Sequence, residues 1–121
     1  MIYKFQNLDV WKAAKELAGN VYGLTRQYPN GERFALTDQT NRAVVSISAN
    51  IAEGTSRESV KDFNHFLDIA LGSAFELVSL LEIAFDLKYI PKRELDEILV
   101  QVERVIMLLY GLKRSLRKRN E

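Results

Sequence analysis

Cysteine is absent from all 121 residues, which rules out disulfides, zinc–thiolate centres and thiol nucleophiles. That absence fits a reducing compartment, and a cytoplasmic protein is expected. Histidine occurs once, as His65, so no chemistry that needs two imidazoles is available. No G-x-G-x-x-G and no Walker pattern occurs, so no cofactor is expected. The longest apolar stretches are broken by Glu76, Glu82 and Asp86 and fall short of the ~18 residues of a membrane span. The opening Met1-Ile2-Tyr3-Lys4-Phe5 offers no long apolar run and no small-residue cleavage site, so no signal peptide is expected. Proline is scarce, only Pro29 and Pro91, and both stand in turn-like contexts.

What the chain does have is helical periodicity and an uneven spread of charge. Its length suits one domain, 1–121. The net charge of +1 conceals an asymmetry: residues 113–119 hold five of the 17 basic residues. Residues 1–112 carry 12 basic and 15 acidic residues, a net of −3. The body is mildly acidic and the end basic.

The two prolines divide the chain into segments of helical length, predicted over about 8–28, 37–53, 59–88 and 91–118. In the first, Val10, Ala14, Leu17, Val21, Leu24 and Tyr28 recur at spacings of three and four, with Asn7 as the expected N-cap. The second is expected to start at Thr37 and to end with Gly54 beyond its last turn. Its middle, Ala43 to Ala52, is small or apolar nearly all round, so it should be buried on more than one side. In so small a bundle the second surface would come from another subunit, which predicts a homo-oligomer. Ser59 with Asp62 resembles a capping box opening the third segment, whose stripe runs from Phe63 to Ala84. Gly72 within it costs about 1 kcal/mol of propensity, suggesting a close neighbouring backbone. Pro91 suits the first position of the fourth segment, whose stripe runs from Leu95 to Leu112, with Val100 and Met107 off it. The fold class is all-α, an up-down antiparallel four-helix bundle.

Few constellations could carry chemistry. Asp62-x-x-His65 has the spacing used in di-iron bundles, but the second pair such a site needs cannot exist with one histidine. No metal ligands are assigned. Ser46, Ser48, Ser56, Ser59, Ser73 and Ser79 lack a triad partner or a nucleophile elbow, so no catalytic residue is assigned and an enzyme is not expected. Asn50 and Glu53 lie one turn apart on an apolar helix and read as a hydrogen-bonded helix end. Gly19-x-x-x-Gly23 reads as close helix packing or mere tolerance. The basic C-terminus is more suggestive. Lys113, Arg114, Arg117, Lys118 and Arg119 are suited to phosphate contacts, although cations also suit a helix C-terminus through its dipole. Arg42, Arg57 and Lys61 would extend this patch if the second-to-third helix turn lies nearby.

Four segments carry a family resemblance. They are Asn7-Leu8-Asp9-Val10-Trp11-Lys12-x-Ala14-x-Glu16-Leu17 and Tyr28-Pro29-x-x-Glu32-Arg33-Phe34-x-Leu36-Thr37-x-Gln39. The others are Arg42-Ala43-x-x-Ser46-Ile47-x-x-Asn50-Ile51-Ala52-Glu53-Gly54 and Phe66-Leu67-x-Ile69-Ala70-x-Gly72-Ser73-x-x-Glu76-Leu77. Together they resemble the four-helix-bundle proteins encoded in intervening sequences of bacterial 23S ribosomal RNA genes. The resemblance implies a ring-like homopentamer, with ribosomal RNA association inferred from gene position, and no catalytic residues. A similar bundle, the accessory protein of diversity-generating retroelements, associates with nucleic acid and a reverse transcriptase. Two positions depart from the pattern. Ser48 stands where proline is frequent, which weakens any kink, and His65 stands where arginine is frequent, which removes a cation.

Three functions therefore compete. The first is an oligomeric bundle, likened to a pentamer, that binds structured RNA or a ribonucleoprotein through basic residues. The second is a protein-binding scaffold or accessory subunit using Tyr3, Phe5, Val100 and Met107. The third is an enzyme, which the residue inventory disfavours.

Overall fold

A computed structural model describes residues 3–119; Met1, Ile2, Asn120 and Glu121 lie outside the described residues. A short 3-10 helix, Lys4–Asn7, leads into four α-helices: α1 (Asp9–Thr25), α2 (Leu36–Thr55), α3 (Val60–Asp86) and α4 (Lys92–Arg119). A second 3-10 turn, Asn30–Glu32, lies between α1 and α2, and there is no strand among the described residues. Each helix packs on its neighbours in sequence, α1 also packs on α4, and the backbones of the diagonal pairs stay more than 8 Å apart. With turns this short, that adjacency fits an up-down arrangement.

The predicted stripes meet at the centre. Leu17, Val21, Ile47, Ile51, Leu67, Leu77, Leu81, Val102, Val105 and Leu109 are fully buried. On α2 the inner side (Ala43, Val44, Ile47, Ile51) is covered, while Val45 and Ala49 on the outer side are exposed.

Several ends differ from expectation. Helix α1 starts after Leu8, an extended residue with no side-chain cap, because Asn7 belongs to the 3-10 turn. Phe5 and Trp11 hold that turn with ring centroids 4.9 Å apart. Helix α1 stops at Thr25, whose hydroxyl reaches Asn41 Oδ1 at 2.9 Å. Tyr28 then tucks in from beyond the helix end, 5.5 Å from the Tyr89 ring. Helix α2 begins at Leu36 behind Ala35, so Thr37 lies in its first turn and is not its cap. Gly54 is not a terminating residue: it is buried inside α2, which continues to Thr55. Ser59 does cap α3, its Oγ accepting from the Asp62 amide at 3.0 Å. Lys88, where the third segment is expected to end, does terminate α3, in the left-handed region at φ 66°. Its amide donates to Phe85 O and that of Tyr89 to Ala84 O, both at 2.9 Å, the Schellman pattern that usually selects glycine. Pro91 accepts the first bond of α4 from Leu95 at 3.1 Å and so stands just before it.

Helices α2 and α3 form the most intimate pair. Ser46 and Ser73 share a hydroxyl–hydroxyl bond of 2.8 Å. Asn50 Nδ2 donates to Ser46 O at 2.8 Å and to Ser46 Oγ at 3.0 Å, so Asn50 reaches back one turn and is not part of an end cap. A Cβ on Gly54 would lie 2.8 Å from Phe63 Cδ1 and 3.1 Å from Phe66 Cβ. By contrast, one on Gly72, Gly19 or Gly23 would meet nothing within 4 Å. The close approach expected at Gly72 therefore occurs at Gly54, and Gly19 and Gly23 are merely tolerated.

Two outcomes follow from this packing. Gly54→Ala gains about 1 kcal/mol of helix propensity and loses more to overpacking, so chemical denaturation should show a net loss of about 1–2 kcal/mol. The second concerns Tyr28, only 5% exposed, whose burial pushes the phenol up to about 12. Unfolded tyrosine titrates near ~10, so the unfolded chain loses its proton first. Stability from this group is full below about pH 10 and falls as pH rises towards 12. Urea midpoints across that window should drop more steeply for the native chain than for Tyr28→Phe.

Candidate nucleic-acid interface

The basic segment is not a free tail. Helix α4 continues through Arg119, and Leu116, 2% exposed, anchors its last turns in the core. Anchoring fixes where each cation goes. Lys113 and Arg117, four residues apart, share the α3-facing side. They line a cavity of about 300 Å³ together with Val60, Lys61, Asn64 and Leu116. Arg119 goes to the other flank. It lines an adjoining cavity of about 270 Å³ with Lys4, Arg57, Glu58, Ser59 and Phe63. The two cavities share Val60 and Leu116. Arg114 and Lys118 are exposed and line neither cavity.

The turn between α2 and α3 thus lies beside the end of α4, and the sequence-predicted residues Arg57 and Lys61 join the tail there. Arg42 does not. It sits thirteen residues before the end of α2, about 20 Å away at the helical rise per residue. Lys4, Asn64 and Asp68 belong to this end of the bundle and carry no sequence signal that separates them from other polar residues facing solvent.

Not every cation is uncommitted. The Lys113 ammonium is paired with Asp68, and its side chain is 20% exposed, so its stem packs against the bundle. Arg57 bonds Glu53 at 2.9 Å and lies 4.6 Å over the Phe66 ring. Lys61 and Arg117 form no ion pair among the described residues. With Glu53, Glu58 and Asp68 interspersed, the end is a set of small basic cavities and not a uniform positive surface.

The other chemical candidates resolve into structure. Ser46 is spent on Ser73 and Asn50, and Glu53 on Arg57. Asp62 and His65 are exposed, and no group of three or more histidine or carboxylate side chains among the described residues could hold a metal ion. No described helix is long and apolar enough to cross a membrane.

The family model for the 23S rRNA-intervening sequence protein matches residues 6–111. The chain belongs to this family. Among solved structures, a similar one is the crystal structure of a protein with unknown function from the S23 ribosomal protein family of Bacteroides thetaiotaomicron VPI-5482. It is 28% identical, with a TM-score of 0.80, over 87% of this chain and 95% of that one. No curated protein matches the sequence. Within the family match, Ser46, Asn50, Gly54 and Ser73 build the α2–α3 seam, and the match ends at residue 111, before the basic cluster of α4.

Because Leu116 is a core residue, removing the segment from Lys113 onward would disturb the fold as well as the charge. Leu116→Ala should lower unfolding free energy by about 2–4 kcal/mol. Arg114→Gln with Lys118→Gln should leave it within about 0.5 kcal/mol. Thermal or urea melts of the two variants check both values.

Proposed function

We propose that this chain is a non-enzymatic, self-assembling bundle that binds structured RNA or a ribonucleoprotein through the basic end where α4 meets the α2–α3 turn. The observation that carries this is convergence. Arg57, Lys61, Lys113, Arg117 and Arg119 are spread over 63 positions of sequence, yet they line two adjoining cavities at one end of the fold. Structural need does not account for such a gathering, since Lys61, Arg117 and Arg119 are exposed. The family's name, 23S rRNA-intervening sequence protein, supports RNA as the partner. Because Ser46, Ser73 and Asn50 are consumed in helix packing and Glu53 pairs with Arg57, binding is favoured over catalysis. The cytoplasm, where such RNA is found, is the compartment this reading implies.

Self-assembly, as a ring-like homopentamer, is supported by apolar surface that one chain leaves open. Val45, Ala49, Ile69, Gly72 and Ile83 are exposed on α2 and α3, and Val100 and Met107 on α4. The last two also favour a second reading, a scaffold or accessory subunit of a partner enzyme such as a reverse transcriptase. Val100 and Met107, 67% and 65% exposed and two turns apart, form a stripe that suits a protein partner. Tyr3 is exposed too, whereas Phe5 is half-buried against Trp11.

Size-exclusion chromatography with light scattering, at low and high salt, tests assembly; a monomer under both conditions would remove the ring. Fluorescence anisotropy with a structured RNA tests binding. About four phosphate contacts would reduce affinity roughly 50- to 150-fold between 50 and 200 mM salt. Binding that ignores salt, with one protein recovered from pull-downs after nuclease treatment, would favour the scaffold instead.

A further inference from the structure

We infer that the cavity between the first turns of α3 and the last turns of α4 is a phosphate site, with Lys61 and Arg117 as its free cations, Asn64 as its hydrogen-bonding group and the Lys113–Asp68 pair as an adjustable wall. It rests on the proposed nucleic-acid reading and narrows it from a basic surface to one built site.

The construction starts from two short spacings. On α3, Lys61, Asn64 and Asp68 follow at three and four residues and share a face. On α4, Lys113 and Arg117 share the opposing face, and Leu116 between them turns inward. The cavity therefore has an apolar floor, Val60 and Leu116, and polar walls on both sides. Its volume of about 300 Å³ lies at the small end of the ~300–1,000 Å³ typical of ligand sites, so it suits a compact group and not a folded surface.

Charge decides which compact group. Asp68 neutralises Lys113, so the uncompensated charge is that of Lys61 and Arg117, two positive charges. A phosphate monoester carries about −1.5 to −2 near neutrality, and two successive diesters carry −2. A lone carboxylate would leave the cavity half-neutralised. Arginine presents a planar fork that matches phosphate oxygens, and lysine a point charge beside it. Asn64 is half-buried in this wall and has no hydrogen-bond partner among the described residues. Its amide is therefore uncommitted within the fold and open to a ligand at the cavity wall. Lys113 is already positioned, its stem packed and its ammonium held by a carboxylate whose own side chain is 56% exposed. An entering phosphate competes with Asp68 for that ammonium. Asp68 thereby weakens the site and keeps it from holding every passing anion.

The experiment combines a small probe with a polymer. Inorganic phosphate is titrated into the full chain while the Asn64 side-chain amide and Lys113 are followed by NMR. Saturable shifts at both are expected; their absence overturns the site. RNA anisotropy is then measured for Lys61→Gln with Arg117→Gln and for Arg114→Gln with Lys118→Gln, which remove equal charge. The first pair should lose on the order of tenfold or more and the second less than about threefold; equal losses overturn the site while leaving RNA binding intact. Asp68→Asn should tighten binding roughly two- to fivefold, and weakening would count against its assigned role. Comparing one RNA with a 5′-phosphate and with a 5′-hydroxyl separates a terminal monoester from the backbone as the bound group. If phosphate shifts Asn64 but no RNA binds, the site stands and the RNA reading falls.

Discussion

The close approach of α2 to α3 is the constraint on which the rest of the molecule depends. It is made possible by the smallest side chains at the seam. Ser46 and Ser73 can share a 2.8 Å bond only because neither carries bulk, and Gly54 leaves the space that Phe63 and Phe66 fill. Two hydroxyls and an amide are thereby satisfied inside the seam. The four residues between α2 and α3 then have little freedom. Ser59 caps α3 at once, and Arg57 and Lys61 emerge at fixed positions beside the end of α4.

A second constraint acts from the other chain end. A run of cations following a helix could fray into solvent, where it would offer an unfocused charge. Leu116 prevents this by taking a core position within the run. Its burial rotates Lys113 and Arg117 to one flank, Arg119 to the other, and Arg114 and Lys118 outward. A compositional feature becomes a geometric one because one apolar residue sets the phase. The acidic neighbours Glu53, Glu58 and Asp68 belong to the same geometry. They hold or shield some of the cations and leave others open.

How legible this was in the sequence varies with the physics involved. The all-α class and the inner stripes follow from periodicity, because burying a stripe at 3.6-residue spacing has few solutions. Helix ends were harder. Asn7 and Thr37 are good caps locally, but the aromatic contact of Phe5 with Trp11 and the start of α2 at Leu36 override them. Gly54 looked like a terminator because glycine often is one; its actual task, making room for two phenylalanines on another helix, is a tertiary fact with no local trace. Lys88 is the converse, a left-handed residue that composition does not announce. At the candidate interface the tail is visible as a charge run, and Arg57 and Lys61 extend it if the second-to-third helix turn lies nearby. Arg42 is expected there on the same condition, and helix rise puts it far down α2. Asn64 and Asp68 were invisible because nothing but the facing of α3 on α4 distinguishes them from other exposed polar residues.

The distribution of satisfied and unsatisfied polar groups supplies the remaining argument about function. An enzyme of this size would be expected to hold several convergent, unspent polar groups in one cleft. Here the seam serines and Asn50 bond one another, Thr25 bonds Asn41, and Tyr89 bonds Glu32 at 2.7 Å. Each of these pairs joins or stiffens packing. What stays open at the junction of α3 and α4 is a different kind of group: the basic side chains of Lys61 and Arg117, and Asn64, a neutral donor and acceptor, set over an apolar floor. Such groups complement fixed negative charge. A fold that leaves guanidinium and ammonium groups outward beside an unspent amide presents the chemistry that the proposed anion site requires.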